Sequence, residues 1–327
     1  MIEAAVVIER WAMKDVFATS RSAIDEIPVL LLTLTDRAGR RGRAEAAGVD
    51  YDGETPQSMA SEIAAVAASL HDGITRGELG RLLPAGGARN ALDCALWDLE
   101  AKRSGVPAWR AAGLAALKPV TTCLTIGLGD EADTRRKARE AGRYEVLKLK
   151  LDAERHGDLV RIVREEQPRA RLIVDANQAW SRSLLERLVP QFAALGVELI
   201  EQPVPRAEDA TLDGLASSLP LAADESCVDR ASLPGLTGRY RYVNIKLDKC
   251  GGLTEALALA AEAARLGFGL MVGNMCGTSL AMAPAFLIAQ SCRYVDLDGP
   301  LLQREDRAPA IVYRHGLMSA PEAALWG

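Results

Sequence analysis

A chain of 327 residues can hold one large domain or two ordinary ones, and its 49 % hydrophobic content supplies a sizeable core. Lys and Arg total 39 against 44 Asp and Glu, and a net charge of −5 argues against a nucleic-acid protein, which would present a basic patch or stripe. Met1 to Arg10 has no basic leader and carries acids inside its apolar run, so it does not read as a signal peptide. Phe268 to Ala289 is the nearest thing to a membrane span. Gly273-Asn274, Gly277 and Pro284 interrupt it, and it reads as a buried strand, a loop and a helix. The expected location is cytoplasmic, where the six cysteines (94, 123, 227, 250, 276 and 292), scattered without a CxxC pair, are reduced core thiols.

In chain order, Glu3–Glu9 and Val29–Thr35 are apolar strand candidates, and Trp11–Ile27 between them reads as a long polar connection without a clean period. Asp50 to Pro56 is a turn-rich loop. Ser58–Leu70 has a helical pattern, and Gly86–Arg103 a stronger one, stopped by Ser104-Gly105 and Pro107. This opening third reads as an α+β module. From Val120 onward, short apolar runs alternate with helical stretches. The runs are Val120–Leu128, Val146–Leu151, Arg171–Asp175, Glu198–Gln202, Leu221–Asp224, Tyr242–Leu247, Gly269–Val272 and Tyr294–Asp298. Asp130–Gly142, Ser181–Leu195 and Thr254–Leu266 are among the helical gaps. Eight strands spaced this way predict parallel βαβ units closed into a barrel. The absence of a Rossmann glycine fingerprint and of a Walker loop disfavours a nucleotide fold. The expected domains are a cap over 1–118, with 302–327 packing back on it, and a barrel over 119–301.

The strand ends carry the chemistry. Lys148 and Lys150 alternate on one strand and face the same way, and two ammonium groups so placed favour the neutral amine. From Lys150 the chain steps 25, 26, 23 and 22 residues to Asp175, Glu201, Asp224 and Lys246, about one βα unit each time, so all can converge at the C-terminal mouth. Three carboxylates there would repel one another, and a hard divalent cation such as Mg²⁺ with an all-oxygen set relieves this. Each acid alone reads equally as a solvated strand end. Lys150 and Lys246, on strands two and six, stand on opposite sides of such a barrel and suit proton removal on one face of a substrate and return on the other.

Lys148-x-Lys150, Asp175-x-Asn177, Glu201-Gln-Pro, Asp224-Glu-Ser and Asn244-Ile-Lys246 resemble the enolase superfamily, muconate lactonizing enzyme subgroup, over essentially the whole chain. The resemblance implies a modified TIM barrel, (β/α)₇β, under an α+β cap. It implies Mg²⁺ on Asp175, Glu201 and Asp224, with Asn177 beside them. It makes Lys150 and Lys246 the acid/base pair and Lys148 an electrostatic partner of the substrate carboxylate and of Lys150. Asp296-Leu-Asp298 resembles the mark of dipeptide epimerases, where such a pair holds the substrate's free ammonium. Phe17 to Arg21 is similar to the loop of Ala-Glu epimerases acting on murein peptides, with Arg21 facing the substrate's Glu carboxylate. The implied reaction is inversion of the α-carbon of a dipeptide's C-terminal residue by two-base proton transfer. An N-acyl amino acid racemase or cycloisomerase of the same subgroup needs Asp296 and Asp298 idle, and a non-enzymatic binder has no use for two opposed lysines. A dipeptide is the expected partner, with neither nucleic acid nor membrane, and a homo-oligomer is compatible with the sequence. His71, His156 and His315 fall outside the constellation, Cys276 after strand seven reads as packing ahead of a pocket-lining role, and Lys249 as structural.

Overall fold

The computed structural model describes residues 2–327. β1 (Ile2–Ala18), β2 (Ala23–Asp36) and β3 (Arg41–Ala46) form an antiparallel sheet in that order, and four helices follow: α1 (Pro56–Ala65), α2 (Ala67–Asp72), α3 (Arg76–Leu82) and α4 (Gly87–Ser104). The expected connection over Trp11–Ile27 is a correction. β1 and β2 are one long hairpin that turns at Thr19–Ser22, with a register break between Ala12 and Phe17. Its outer strand is exposed along most of its length, so no apolar alternation marks it. The break lets β1 reach the barrel, where Met13 bridges to Gln303 and Ala12 O accepts from Arg304 N–H.

α4 is buried on most sides and lies on β2 and β3. Gly42 sets that approach, since a Cβ there would stand 2.5 Å from Leu99 N. Gly42→Ala is expected to destabilise the protein by about 1–3 kcal/mol, the range for overpacking, read as a lower midpoint in urea unfolding. An unchanged midpoint would show that the helix is free to shift.

After α5 (Ala108–Ala111) and β4 (Val120–Thr121), the barrel strands are β5 (Leu124–Ile126), β6 (Val146–Lys150), β7 (Arg171–Asp175), β8 (Val197–Glu201), β9 (Leu221–Ala223), β10 (Tyr242–Ile245), β11 (Gly269–Val272) and β12 (Tyr294–Val295). They pair in chain order, all parallel. Cys123 N–H donates to Val295 O at 2.9 Å and links the first strand's entry to the last strand. The crossovers carry α6 (Glu131–Ala141), α7 (Gly157–Glu166), α8 (Arg182–Ala194), a 3₁₀ turn at Arg206–Leu212, α9 (Leu233–Leu236), α10 (Leu247–Cys250), α11 (Leu253–Arg265) and α12 (Ser279–Ala289). This is the expected (β/α)₇β barrel. Past β12, α13 (Gly299–Leu302) leads to a hairpin, β13 (Tyr313–Arg314) and β14 (Leu317–Met318), that pairs with β4. The last residues lie on α4, where Trp326 Nε1 donates to Cys94 O and Gly327 N–H to Asp98. Among the described residues no helix is long and apolar enough to cross a membrane.

The barrel interior is layered. Cys123, Val146, Ile173, Leu199, Ala222, Met271 and Tyr294 form an apolar cluster of their own at the lower end. Two residues further along each of these segments stand Thr125, Lys148, Asp175, Glu201, Asp224, Gly273 and Asp296. Period-two alternation therefore turns one apolar layer into a largely polar layer directly above it.

Candidate active site

Strand register places the site. Lys150 lies opposite Asp175, and Asp175 opposite Glu201, so three charged residues sit side by side on β6, β7 and β8. Glu201 pairs with Ala222, which leaves Asp224 one inward step higher. Lys246 follows the end of β10, four strands round the eight-stranded ring from β6.

Every carboxylate of this layer faces an ammonium. Lys148 Nζ lies 3.0 Å from Asp175, 2.7 Å from Glu201 and 2.7 Å from Asp296. Lys150 donates to Asp175 at 2.7 Å and Lys246 to Asp224 at 2.8 Å. Burial pulls the Lys148 amine down, but Asp296, Glu201 and Asp175 outweigh it and hold it well above the ordinary lysine range. Burial likewise opposes the charge on Lys246, and Asp224 raises it again. For Lys148 the expected neutral amine is therefore not what the contacts favour, because three carboxylates stand against the like charge of its neighbour. Asp175 and Asp224 are held below the usual carboxylate range against their burial, by Lys150 and Lys148 and by Lys246 and Lys249 respectively. Glu201 goes the other way, pushed up to about 7 by burial and the Asp175 charge despite Lys148.

The donor set fits a hard cation. Among the described residues, buried acceptor oxygens without a hydrogen-bond donor include Asn177 Oδ1, Glu201 Oε2, Glu225 Oε2 and Asn244 Oδ1. Glu201 Oε2 has the Lys148 charge beside it but outside hydrogen-bonding geometry. Oxygen-only ligands, several of them anionic and undersupplied with donors, suit Mg²⁺. With lysines between them, Asp175, Glu201 and Asp224 are spread more widely than Cys123, Asp296 and Asp298, whose ligand atoms lie within 4.8 Å of one another.

Above the charged layer is a cavity of about 330 Å³, at the small end of the usual range for ligand sites. Lys150, Lys246, Asn177, Asp296, Asp298, Thr125 and Arg21 line it. Asp296 accepts from Lys148 at 2.7 Å and from the Cys123 thiol at 3.2 Å. Asp298 accepts from Thr125 N–H at 2.6 Å. Lys148, with Lys150, keeps Asp296 low against its burial, whereas burial and Asp296 push Asp298 up to about 7. Asn177 takes a positive φ of 43° and donates its N–H to Asp175 at 2.9 Å. Arg21, at the hairpin tip, is ion-paired to Glu225 and stacks 4.7 Å from the centre of the Tyr51 ring. Ser20 Oγ donates to Asn177 O at 3.2 Å and ties the tip to the end of β7. In the acidic 50s loop Asp52 pairs with Arg206 at 2.6 Å and Glu54 accepts from the Val49 and Gly87 amides, while Asp50, Tyr51 and Glu54 line the cavity.

Glu225 and Lys249 were not expected at the site. Strand alternation would turn Glu225 away from Asp224, but β9 ends at Ala223 and the chain bends. Lys249 lies one helical turn past Lys246 in α10 rather than on the strand. Cys276, for which packing was favoured over a place in the pocket, lines the cavity at φ 64°.

Residues 1–113 match the mandelate racemase/muconate lactonizing enzyme N-terminal domain, and residues 130–324 the enolase C-terminal domain-like family. The L-Ala-D/L-Glu epimerase of Escherichia coli is 40 % identical over 311 residues, covering 94 % of this chain and 96 % of that one. An N-acetyl-D-glutamate racemase from a Pseudoalteromonas species is 46 % identical over 254 residues, 76 % of this chain and 79 % of that one. The crystal structure of an enolase family member from Agrobacterium tumefaciens with homology to dipeptide epimerases, with bound sodium and L-Ala-L-Glu, superposes with a TM-score of 0.97 at 42 % identity over the full length of both chains. With both halves matched, the chain belongs to the mandelate racemase/muconate lactonizing enzyme group of the enolase superfamily.

Proposed function

We propose that this protein is a Mg²⁺-dependent dipeptide epimerase that inverts the α-carbon of the C-terminal residue, with glutamate the favoured residue there. The observation that carries the reading is one cavity lined by Lys150 and Lys246 from opposite strands and by the buried pair Asp296 and Asp298. A free α-ammonium brings a positive charge to Asp298, whose carboxylate draws its hydrogen bonds, among the described residues, from Thr125. An acylated nitrogen brings none.

Asp175, Glu201 and Asp224 would hold the metal, which draws electron density from a bound carboxylate and makes the neighbouring α-proton acidic. One lysine removes that proton and the other returns one to the opposite face. Lys148 remains the buried counter-charge of the layer. Arg21, with donors beyond those that Glu225 takes, offers a planar partner to the substrate's side-chain carboxylate. Racemisation of N-acyl glutamate is the second reading, favoured by the relative from Pseudoalteromonas, and it uses the same lysines and Arg21.

The test is α-proton exchange in D₂O with Mg²⁺ over a dipeptide set containing L-Ala-L-Glu, with N-acetyl- and N-succinyl-glutamate alongside. Exchange with inversion on free dipeptides is the expected result. Exchange confined to the N-acyl compounds would overturn the assignment in favour of the racemase. Arg21→Met is expected to weaken kcat/KM for L-Ala-L-Glu at least tenfold more than for L-Ala-L-Leu, because charge-assisted bonds contribute about 1.5–3 kcal/mol. An equal loss on both substrates would remove Arg21 from the side-chain subsite.

A further inference from the structure

Asp224 carries two lysines, and the two are held differently. Lys246 Nζ makes one hydrogen bond, to Asp224 Oδ2 at 2.8 Å, and lines the cavity. Lys249 Nζ donates to Asp224 Oδ1 at 2.7 Å, to the main-chain oxygen of the same residue, and to Asn244 O at 3.1 Å. An ammonium has three N–H donors, and here all three are used. Lys249 is 3 % exposed and is not among the cavity-lining residues. The short helix α10 that carries it ends at Gly251, in the left-handed region at φ 80°, where Arg89 from the cap donates to Cys250 O at 2.6 Å. From the other side, Gln202 Oε1 accepts the Asp224 N–H at 2.9 Å and the Ser226 N–H at 3.2 Å. The main chain of Asp224 is thus fixed at both its amide and its carbonyl, and its carboxylate at one oxygen, all by groups outside the cavity.

We propose that Lys249 is the positioning residue of Asp224: a fixed counter-ion that keeps this carboxylate aimed at the metal position and leaves Lys246 free to move off it to the substrate. If Lys246 were the only cation on Asp224, its departure would strand a buried carboxylate, which is costly unless paired. With Lys249 present, Lys246 has one bond to break. The inference rests on the reading of Asp224 as a metal ligand, and it gives a role to a lysine that the two-base reaction does not use.

The variant is Lys249→Met, which keeps much of the stem volume and removes the charge. Calorimetric titration of the metal-free protein with Mg²⁺ reads the first effect. The dissociation constant is expected to rise about 10–100-fold, the usual loss when a group orienting a metal ligand is removed. Exchange in D₂O, started separately from each epimer of the dipeptide, reads the second. Lys246 becomes the sole partner of Asp224, so exchange from the epimer it serves should fall at least tenfold further than exchange from the epimer served by Lys150. A merely structural lysine would lower thermal stability and leave the Mg²⁺ constant within twofold and the two epimers equally affected, and that result overturns the proposal. If the variant does not fold, the wild-type crystal structure with Mg²⁺ and a dipeptide decides. Lys249 Nζ should remain within about 3.2 Å of Asp224 Oδ1 while Lys246 Nζ has left Oδ2, and a displaced Lys249 overturns the proposal. Wild-type protein that binds no Mg²⁺ in the titration would remove the metal reading itself, a failure distinct from that of Lys249.

Discussion

Lys150→Ala and Lys246→Ala each lose epimerisation by about 10²–10⁴-fold, the contribution of a positioned acid or base. The loss has a signature that simple damage lacks. With the lysines four strands apart, the two-base proposal assigns each to one face of the α-carbon. The enzyme keeping only Lys246 should still exchange the α-proton of one epimer for deuterium without inverting it, and the enzyme keeping only Lys150 should do so for the other. NMR of the recovered dipeptide separates exchange from inversion. Full epimerisation in Lys150→Ala would sink the two-base mechanism, and loss of exchange from both epimers in both variants would point to disruption of the charged layer instead. Lys150→Ala also leaves Asp175 with Lys148 as its remaining ammonium, so its thermal unfolding has to be followed in parallel.

Chelation is expected to have an effect of similar size. Activity should vanish with EDTA and return with Mg²⁺, while the fold persists, because Lys148, Lys150, Lys246 and Lys249 already neutralise the carboxylates proposed as ligands. Restoring Mg²⁺ to 100 times its dissociation constant should stabilise the protein by about 2.7 kcal/mol, visible as a rise in Tm. Glu201→Gln should lose most of that rise. Glu201 is the proposed ligand whose carboxylate is pushed up to about 7 by burial and Asp175, so it has the most to gain from a divalent neighbour. Undiminished activity after exhaustive chelation would exclude the metal's role.

The barrel and its mouth were legible because a βα unit has a narrow length. Steps of 22 to 26 residues between charged strand ends force convergence whatever the loops do, and the register of Lys150, Asp175 and Glu201 bears this out. What was hidden lay where alternation stops. Glu225 follows the last residue of β9 by two positions, and Lys249 belongs to a single helical turn, so neither obeys the strand period used to find its neighbours. Lys246-x-x-Lys249 at helical spacing was the available signal. The far half of the β1–β2 hairpin was missed for a different reason. It stands over the barrel mouth with much of its outer strand exposed, and sequence periodicity records burial.

The Arg21–Glu225 pair joins two jobs that are usually separable. The residue proposed to read the substrate's side chain leans on the immediate neighbour of a metal-ligand candidate, and that neighbour is fully buried. A directed-evolution library randomised at position 21 alone would leave Glu225 as an orphaned buried acid beside Asp224 in most of its members, and so would select against altered specificity for reasons unrelated to the new substrate. Randomising 21 and 225 together removes that penalty, and it is the smallest library in which this scaffold can be asked for a different dipeptide.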